Sequence, residues 1–131
     1  MALTPGTTHE ITRTVTADQT ADALGNKGVM VFATPCVVTL VENACSEMVQ
    51  PQLPAGAATV GTVVELKHLG ATPLGMTVRA KATLVETDGR RYVFTVEVWD
   101  DKERVAEARH ERFVVNDLAK FLARAMKKAE G

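Results

Sequence analysis

Three residues of this chain have the types and the setting to do chemistry together: Thr34, Glu42 and His68. A carboxylate at the border of an apolar surface can have a raised pKa or be held reactive by a nearby imidazole. A hydroxyl at a helix start sits where free backbone N–H groups and the helix dipole favour a developing oxyanion. Gly61 adds a strand position where a ligand can approach the backbone closely. These are the parts of an acyl-transfer site. Each also has a plainer role: Thr34 as a helix cap, Glu42 as a solvated flank residue, His68 as a packed histidine and Gly61 as the mark of a bulge. His110 and Arg112, later in the chain, read first as sheet-surface residues. The sequence has no glycine-rich phosphate loop, no cysteine-based metal cluster and no G-x-S-x-G elbow, so no metal site is expected.

The elements that must position these residues follow from periodicity. From Phe32 to Gln50 the pattern is that of one half-buried helix, with Thr34 as its N-cap and Pro35 at its first position. At about 100° per residue, Val37, Leu40, Val41, Ala44, Cys45 and Met48 fall in one apolar arc that Val38 and Val49 extend, and Glu42 lies at its edge. From Thr59 the period becomes two. Val60, Thr62, Val64, Leu66 and His68 form the face expected to be buried. Met76 to Thr87 alternates with Val78, Ala80, Ala82 and Leu84 inward. Asp88-Gly89 marks a hairpin, and Arg91 to Asp100 follows with Tyr92, Phe94, Val96 and Val98 on one face. Arg104 to Val115 is a last strand, with Ala106, Ala108, His110 and Arg112 on one side. Asn116-Asp117 caps a C-terminal helix whose basic last turn suits the helix dipole. Upstream, Thr8 to Thr16 is a weak edge strand, and Asp18 to Leu24 a short helix broken by Gly25-Asn-Lys-Gly28. The order predicts an α+β fold, a curved antiparallel sheet wrapped around one long helix, with pairing to a second copy managing the edges.

Composition bounds the rest. At 131 residues the chain is expected to be one domain, residues 1–131. With 46% apolar residues, 24% charged residues and a net charge of -1, it is an ordinary globular composition with no electrostatic draw toward nucleic acid or membrane. Nothing reads as a membrane span or a signal peptide, so the cytoplasm is the expected location. Cys36 and Cys45, nine apart, point to opposite sides of the helix and cannot pair within it.

The run Phe32-Ala-Thr-Pro, then Leu40-Val-Glu, Thr59-Val-Gly-Thr, His68-Leu-Gly-Ala-Thr-Pro-Leu-Gly, Asp88-Gly-Arg-Arg and His110-Glu-Arg-Phe, resembles the hotdog-fold thioesterases similar to fluoroacetyl-CoA thioesterase. The resemblance covers residues 8 to 122. It implies a hotdog homodimer with sites near the dimer interface. It also implies Thr34, Glu42 and His68 at the catalytic positions, Gly61 with its backbone toward the thioester, and Arg112 near the acyl-CoA. The expected activity is hydrolysis of a small acyl-CoA to the free acid and CoA, with CoA part of the substrate and no separate cofactor. Two features depart from the family pattern. Gly25-Asn-Lys-Gly28 stands where the fluoroacetyl specialist has aromatic lid residues, and Ala108 stands where relatives often have glycine. Two alternatives share the fold: a hydratase acting on an enoyl-CoA, and a non-catalytic protein that binds acyl-CoA. A dimeric structural domain with no ligand is the plainest reading.

Overall fold

The structure is a computed structural model and describes residues 3–130. In chain order the elements are β1 (Thr8–Thr14), α1 (Thr34–Val49), β2 (Ala58–His68), β3 (Thr77–Thr87), β4 (Arg91–Trp99), β5 (Arg104–Val115) and α2 (Leu118–Lys127). The five strands form one antiparallel sheet in the order β1-β3-β4-β5-β2. All five touch α1. Five strands span about 19 Å between outer axes at the usual spacing, whereas a helix with side chains is only about 10 Å across. A sheet whose two edge strands both reach one helix must therefore curl around it. Register shifts in three of the four strand pairs supply local bending.

The core is the one the alternation predicts. Val37, Leu40, Val41, Ala44, Cys45, Met48 and Val49 of α1 are buried. They meet Val78, Ala80, Ala82 and Leu84 of β3 and Phe94, Val96 and Val98 of β4. Ala108 pairs regularly with Leu66 on one side and Val96 on the other, so alanine there leaves the strand intact. Asp88-Gly89 turns the β3–β4 hairpin, with Gly89 at φ 92°. Among the described residues no helix is long and apolar enough to cross a membrane.

The structure corrects the sequence reading at three places. Asp18 to Leu24 is no helix: a short 3-10 turn covers Ala17–Gln19 and the chain then folds back on itself. Ala21 N–H donates to the Val31 carbonyl at 2.9 Å and Asp22 N–H to the Val29 carbonyl at 2.8 Å, so these groups are spent on a loop rather than a helical ladder. Gly25 and Gly28 adopt φ 104° and 87° to make that return. Second, Thr34 is the first residue inside α1, and the N-cap is Ala33, which has no capping side chain. Third, the expected buried face of β2 switches midway. A bulge lies between Gly61 and Val63, so Thr59 and Gly61 face α1 before it, and Val64, Leu66 and His68 after it. Thr62 is the extra residue, and its hydroxyl donates to the Glu111 carbonyl at 3.2 Å.

α2 starts as predicted, with Asp117 accepting from Lys120 N–H at 3.0 Å. Its apolar stripe is uncovered: Phe121, Leu122 and Met126 are all exposed.

Candidate active site

Thr34 and His68 are brought together by the first turn of α1 and the last residue of β2. Ala33 is buried and its carbonyl accepts from the N–H groups of Cys36 and Val37, which closes the first turn without help from a side chain. The Thr34 hydroxyl is thereby left for another partner, and it lies 2.7 Å from His68 Nδ1. A hydroxyl that donates to Nδ1 fixes the proton of the neutral ring on Nε2. That Nε2 is buried and has no hydrogen-bond partner among the described residues. Burial lowers the His68 pKa below its ordinary 6.5, offset in part by the backbone at Gly70. The pair sits on the wall of a cavity of about 500 Å³, whose other lining includes Val29, Val31, Phe32 and Leu69. A hydroxyl on the cavity wall, bonded to a neutral imidazole behind it, can polarise a carbonyl and pass a proton to a leaving group.

Glu42 lies two turns along α1 and has other company. Its Oε2 is 3.5 Å from Arg112 Nη1, with the arginine side chain 8% exposed and the glutamate 38% exposed. Arg112 belongs to β5 and is held along its whole fork. Nε donates to Thr59 Oγ1 at 2.8 Å, Nη2 to the Thr59 carbonyl at 2.9 Å, and Nη1 meets His110 Nε2 at 3.2 Å. Burial lowers the Arg112 pKa while the Glu42 carboxylate raises it. Gly61 completes the arrangement by being small: a Cβ there would lie 2.6 Å from Glu42 Oε2 and 3.2 Å from His110 Cε1. The glycine therefore leaves the space that the carboxylate occupies.

The sequence-predicted residues thus form two groups. Thr34 and His68 are in contact, as are Glu42, Gly61 and Arg112. Among the described residues no hydrogen bond joins the two groups, and eight residues of helix separate Thr34 from Glu42 by about 12 Å along the axis. His110 and Arg112, read first as surface residues, are 0% and 7% exposed. Thr59 and Val63 were missed altogether. Their inward roles depend on the bulge, which the strict alternation of β2 concealed; Gly61 was the one signal of it. No group of three or more histidine, cysteine or acidic side chains placed to hold a metal ion is found among the described residues.

Comparison with known proteins follows the same outline. A family model described as fluoroacetyl-CoA-specific thioesterase matches residues 15–118. The chain is 38% identical over 98 residues to the fluoroacetyl-CoA thioesterase of Streptantibioticus cattleyicolor, covering 75% of this chain and 70% of that one. A crystallographic threonine-to-serine mutant of a fluoroacetyl-CoA thioesterase, in complex with acetyl-CoA, superposes with a TM-score of 0.91 at 30% identity, over 96% of this chain and 98% of that one. A hot-dog-like protein from Thermanaerovibrio acidaminovorans, 23% identical with a TM-score of 0.84 over 97% and 93% of the two chains, shares the fold.

Proposed function

The chain belongs to the fluoroacetyl-CoA-specific thioesterase family, and from that premise we propose that it hydrolyses a small acyl-CoA with Glu42, His68 and Thr34 as its working groups. It is a hotdog-fold thioesterase. The observation that carries the assignment of residues is the 2.7 Å contact between Thr34 and His68 on the wall of an apolar cavity. The reaction adds water across the thioester, forming the C–O bond of the acid and breaking the C–S bond to release CoA thiol. Glu42 either deprotonates the attacking water or attacks the carbonyl itself to give a mixed anhydride that water then hydrolyses, and it carries the charge that Arg112 balances. The Thr34 hydroxyl supports the oxyanion, and His68 behind it orients that hydroxyl and relays through it the proton that the departing thiolate needs. Gly61, with no side chain, leaves the Glu42 carboxylate room to stand beside its backbone and meet the thioester. The Gly25–Val31 loop has no aromatic residue to close over a fluoromethyl group, so acetyl and other small acyl chains are accepted alongside fluoroacetyl.

The working unit is a homodimer in which Glu42 of one protomer completes the Thr34–His68 pair of its partner. Two observations support this reading. Glu42 and His68 make no contact within one chain, and β2 is an edge strand whose inward-facing Val64 is still 36% exposed. CoA enters as part of the substrate, and no separate cofactor takes part.

A thiol-release assay over acetyl-, fluoroacetyl-, branched and aromatic acyl-CoAs tests the activity. Glu42→Gln and His68→Ala are each expected to lower kcat by about 10²–10⁴-fold. Full activity in both would sink the assignment. Mixing the two inactive variants tests the shared site: a heterodimer keeps one intact site of two and recovers about half the wild-type activity. No recovery in verified heterodimers would show that each chain builds its own site.

A further inference from the structure

We propose that His110 is a positioning residue for catalysis: its neutral ring accepts a hydrogen bond from Arg112 and so fixes the guanidinium that aims the Glu42 carboxylate. The inference rests on Glu42 being the reactive carboxylate. His110 itself touches neither the cavity beside His68 nor solvent, being 0% exposed.

The tautomer follows from the partners. His110 Nδ1 lies 2.8 Å from the Val63 carbonyl, and a carbonyl can only accept. Nδ1 therefore carries the proton, and Nε2 presents a lone pair. Arg112 Nη1, a donor only, stands 3.2 Å from that lone pair. The arrangement is consistent at both nitrogens only for the neutral ring. An imidazolium would set a second N–H against the guanidinium, in a buried place, next to a like charge. Phe94 stacks on the ring at 6.2 Å between centroids, and the space at Gly61 closes the other approach. The charged groups that act on the imidazole are Arg112 and Glu111 from β5 and Glu42 from α1, and the Cys45 thiol of α1 acts on Arg112. Burial, reinforced by Arg112 and opposed by the Val63 bond and by Glu42 and Glu111, lowers the pKa of the ring.

The order of dependence is then explicit. The β2 bulge turns the Val63 carbonyl toward β5, that carbonyl sets the ring of His110, the ring and Thr59 set Arg112, and Arg112 sets Glu42. Only the last member is open enough to meet substrate. Without the acceptor at Nε2, Nη1 loses one of its two fixed partners and Glu42 gains freedom. A carboxylate misplaced by about 1 Å can cost about 10²-fold in rate.

The test separates the two ring nitrogens. Asparagine places its amide N–H near the Nδ1 position, and glutamine places its amide oxygen near the Nε2 position. His110→Asn keeps the tie to Val63 and lacks the acceptor for Arg112; kcat is expected to fall by about 10- to 100-fold with KM little changed. His110→Gln keeps the acceptor and restores most of kcat. The reverse order, or equal activity in the two variants, would overturn the proposal and leave His110 a tie between strands. Should either variant fail to fold, ¹⁵N-histidine NMR of the wild-type dimer decides. The Nδ1–H tautomer is expected for His110 at neutral pH, and an Nε2–H ring or an imidazolium there would overturn the proposal. Glu42→Gln is run in parallel: full activity in it removes the catalytic reading itself, whereas an inactive Glu42→Gln beside a wild-type His110→Asn removes only this inference.

Discussion

The two polar clusters along α1 are built to opposite rules. The Thr34–His68 pair is sparse: one hydrogen bond, an exposed hydroxyl, and a ring nitrogen with nothing to bond to. The cluster around Arg112 is crowded: three hydrogen bonds and an ion pair on one guanidinium, with the histidine beside it satisfied at both nitrogens. The sparse pair has valence to spare for a substrate. The crowded cluster has almost none, and its one open end is the Glu42 carboxylate. Reactive groups and the groups that aim them are thus told apart by what they leave unsatisfied.

The contrast can be broken most strongly at Arg112. Arg112→Met removes the centre of the crowded cluster and strands the Thr59 carbonyl and His110 Nε2. Urea titration is expected to show a loss of about 2–3 kcal/mol, and thiol release a loss of at least about 10²-fold. Wild-type stability would mean that the cluster does not hold the strands. Gly61→Ala probes the same cluster more gently. Its methyl collides with the end of a flexible carboxylate, so the fold gives way easily while Glu42 is displaced. The expectation is a fall in kcat of about 10-fold or more with a Tm within a few degrees of wild type; unchanged kcat would show that Glu42 need not stand where it does.

At the sparse pair the expectation is chemistry without stability. Thr34→Ala removes a hydroxyl that caps nothing, since Ala33 occupies the N-cap. Unfolding is expected to change by less than about 0.5 kcal/mol, while kcat falls by about 10-fold or more. A larger loss of stability with normal turnover would return Thr34 to the role of a cap.

The smallest effect is the pH dependence of stability. His68 and His110 both have pKa values lowered below 6.5 by burial. Above 6.5 both are neutral folded or unfolded. As pH falls below 6.5 the unfolded chain takes up these protons first, so stability drops until the folded pKa of each ring is passed. Tm measured from pH 8 downward is expected to be flat and then to decline. In His110→Gln the decline is shallower, and an identical curve would mean that the buried ring charges as readily as a free one.

Much of this was legible in the chain. Alternation in β3 and β4 gave the correct inward residues because both strands are interior and paired on both sides. The α1 stripe was legible for the same reason: one face of it meets the whole sheet. The site residues were legible singly but not in their grouping. Thr34 was read as a cap because sequence cannot distinguish the residue before a helix from the first one in it. Thr59 and Val63 were hidden because a bulge changes which face of β2 is buried without changing its composition, whereas His110 and Arg112 were grouped correctly with Ala106 and Ala108 and read as surface only because they are polar. The loop after Ala17 was misread as helical because Ala21 and Asp22 find main-chain partners ten and seven residues away, beyond the reach of local propensity.

That bulge gives β2 two reading frames. Upstream of Thr62 the inward letters are odd, downstream they are even, and the arginine cluster reads from the first frame while His68 reads from the second. Pairing Thr62 regularly, with no bulge, would merge them. With His68 held in place, Thr59 and Gly61 would turn outward and Val60 inward, and Arg112 would face an aliphatic side chain in place of its hydroxyl partner. The bulge thus lets a single strand serve both halves of the site, the clamp that aims Glu42 and the imidazole beside Thr34, and loss of the bulge with Thr62 retained would disconnect them more completely than most point substitutions.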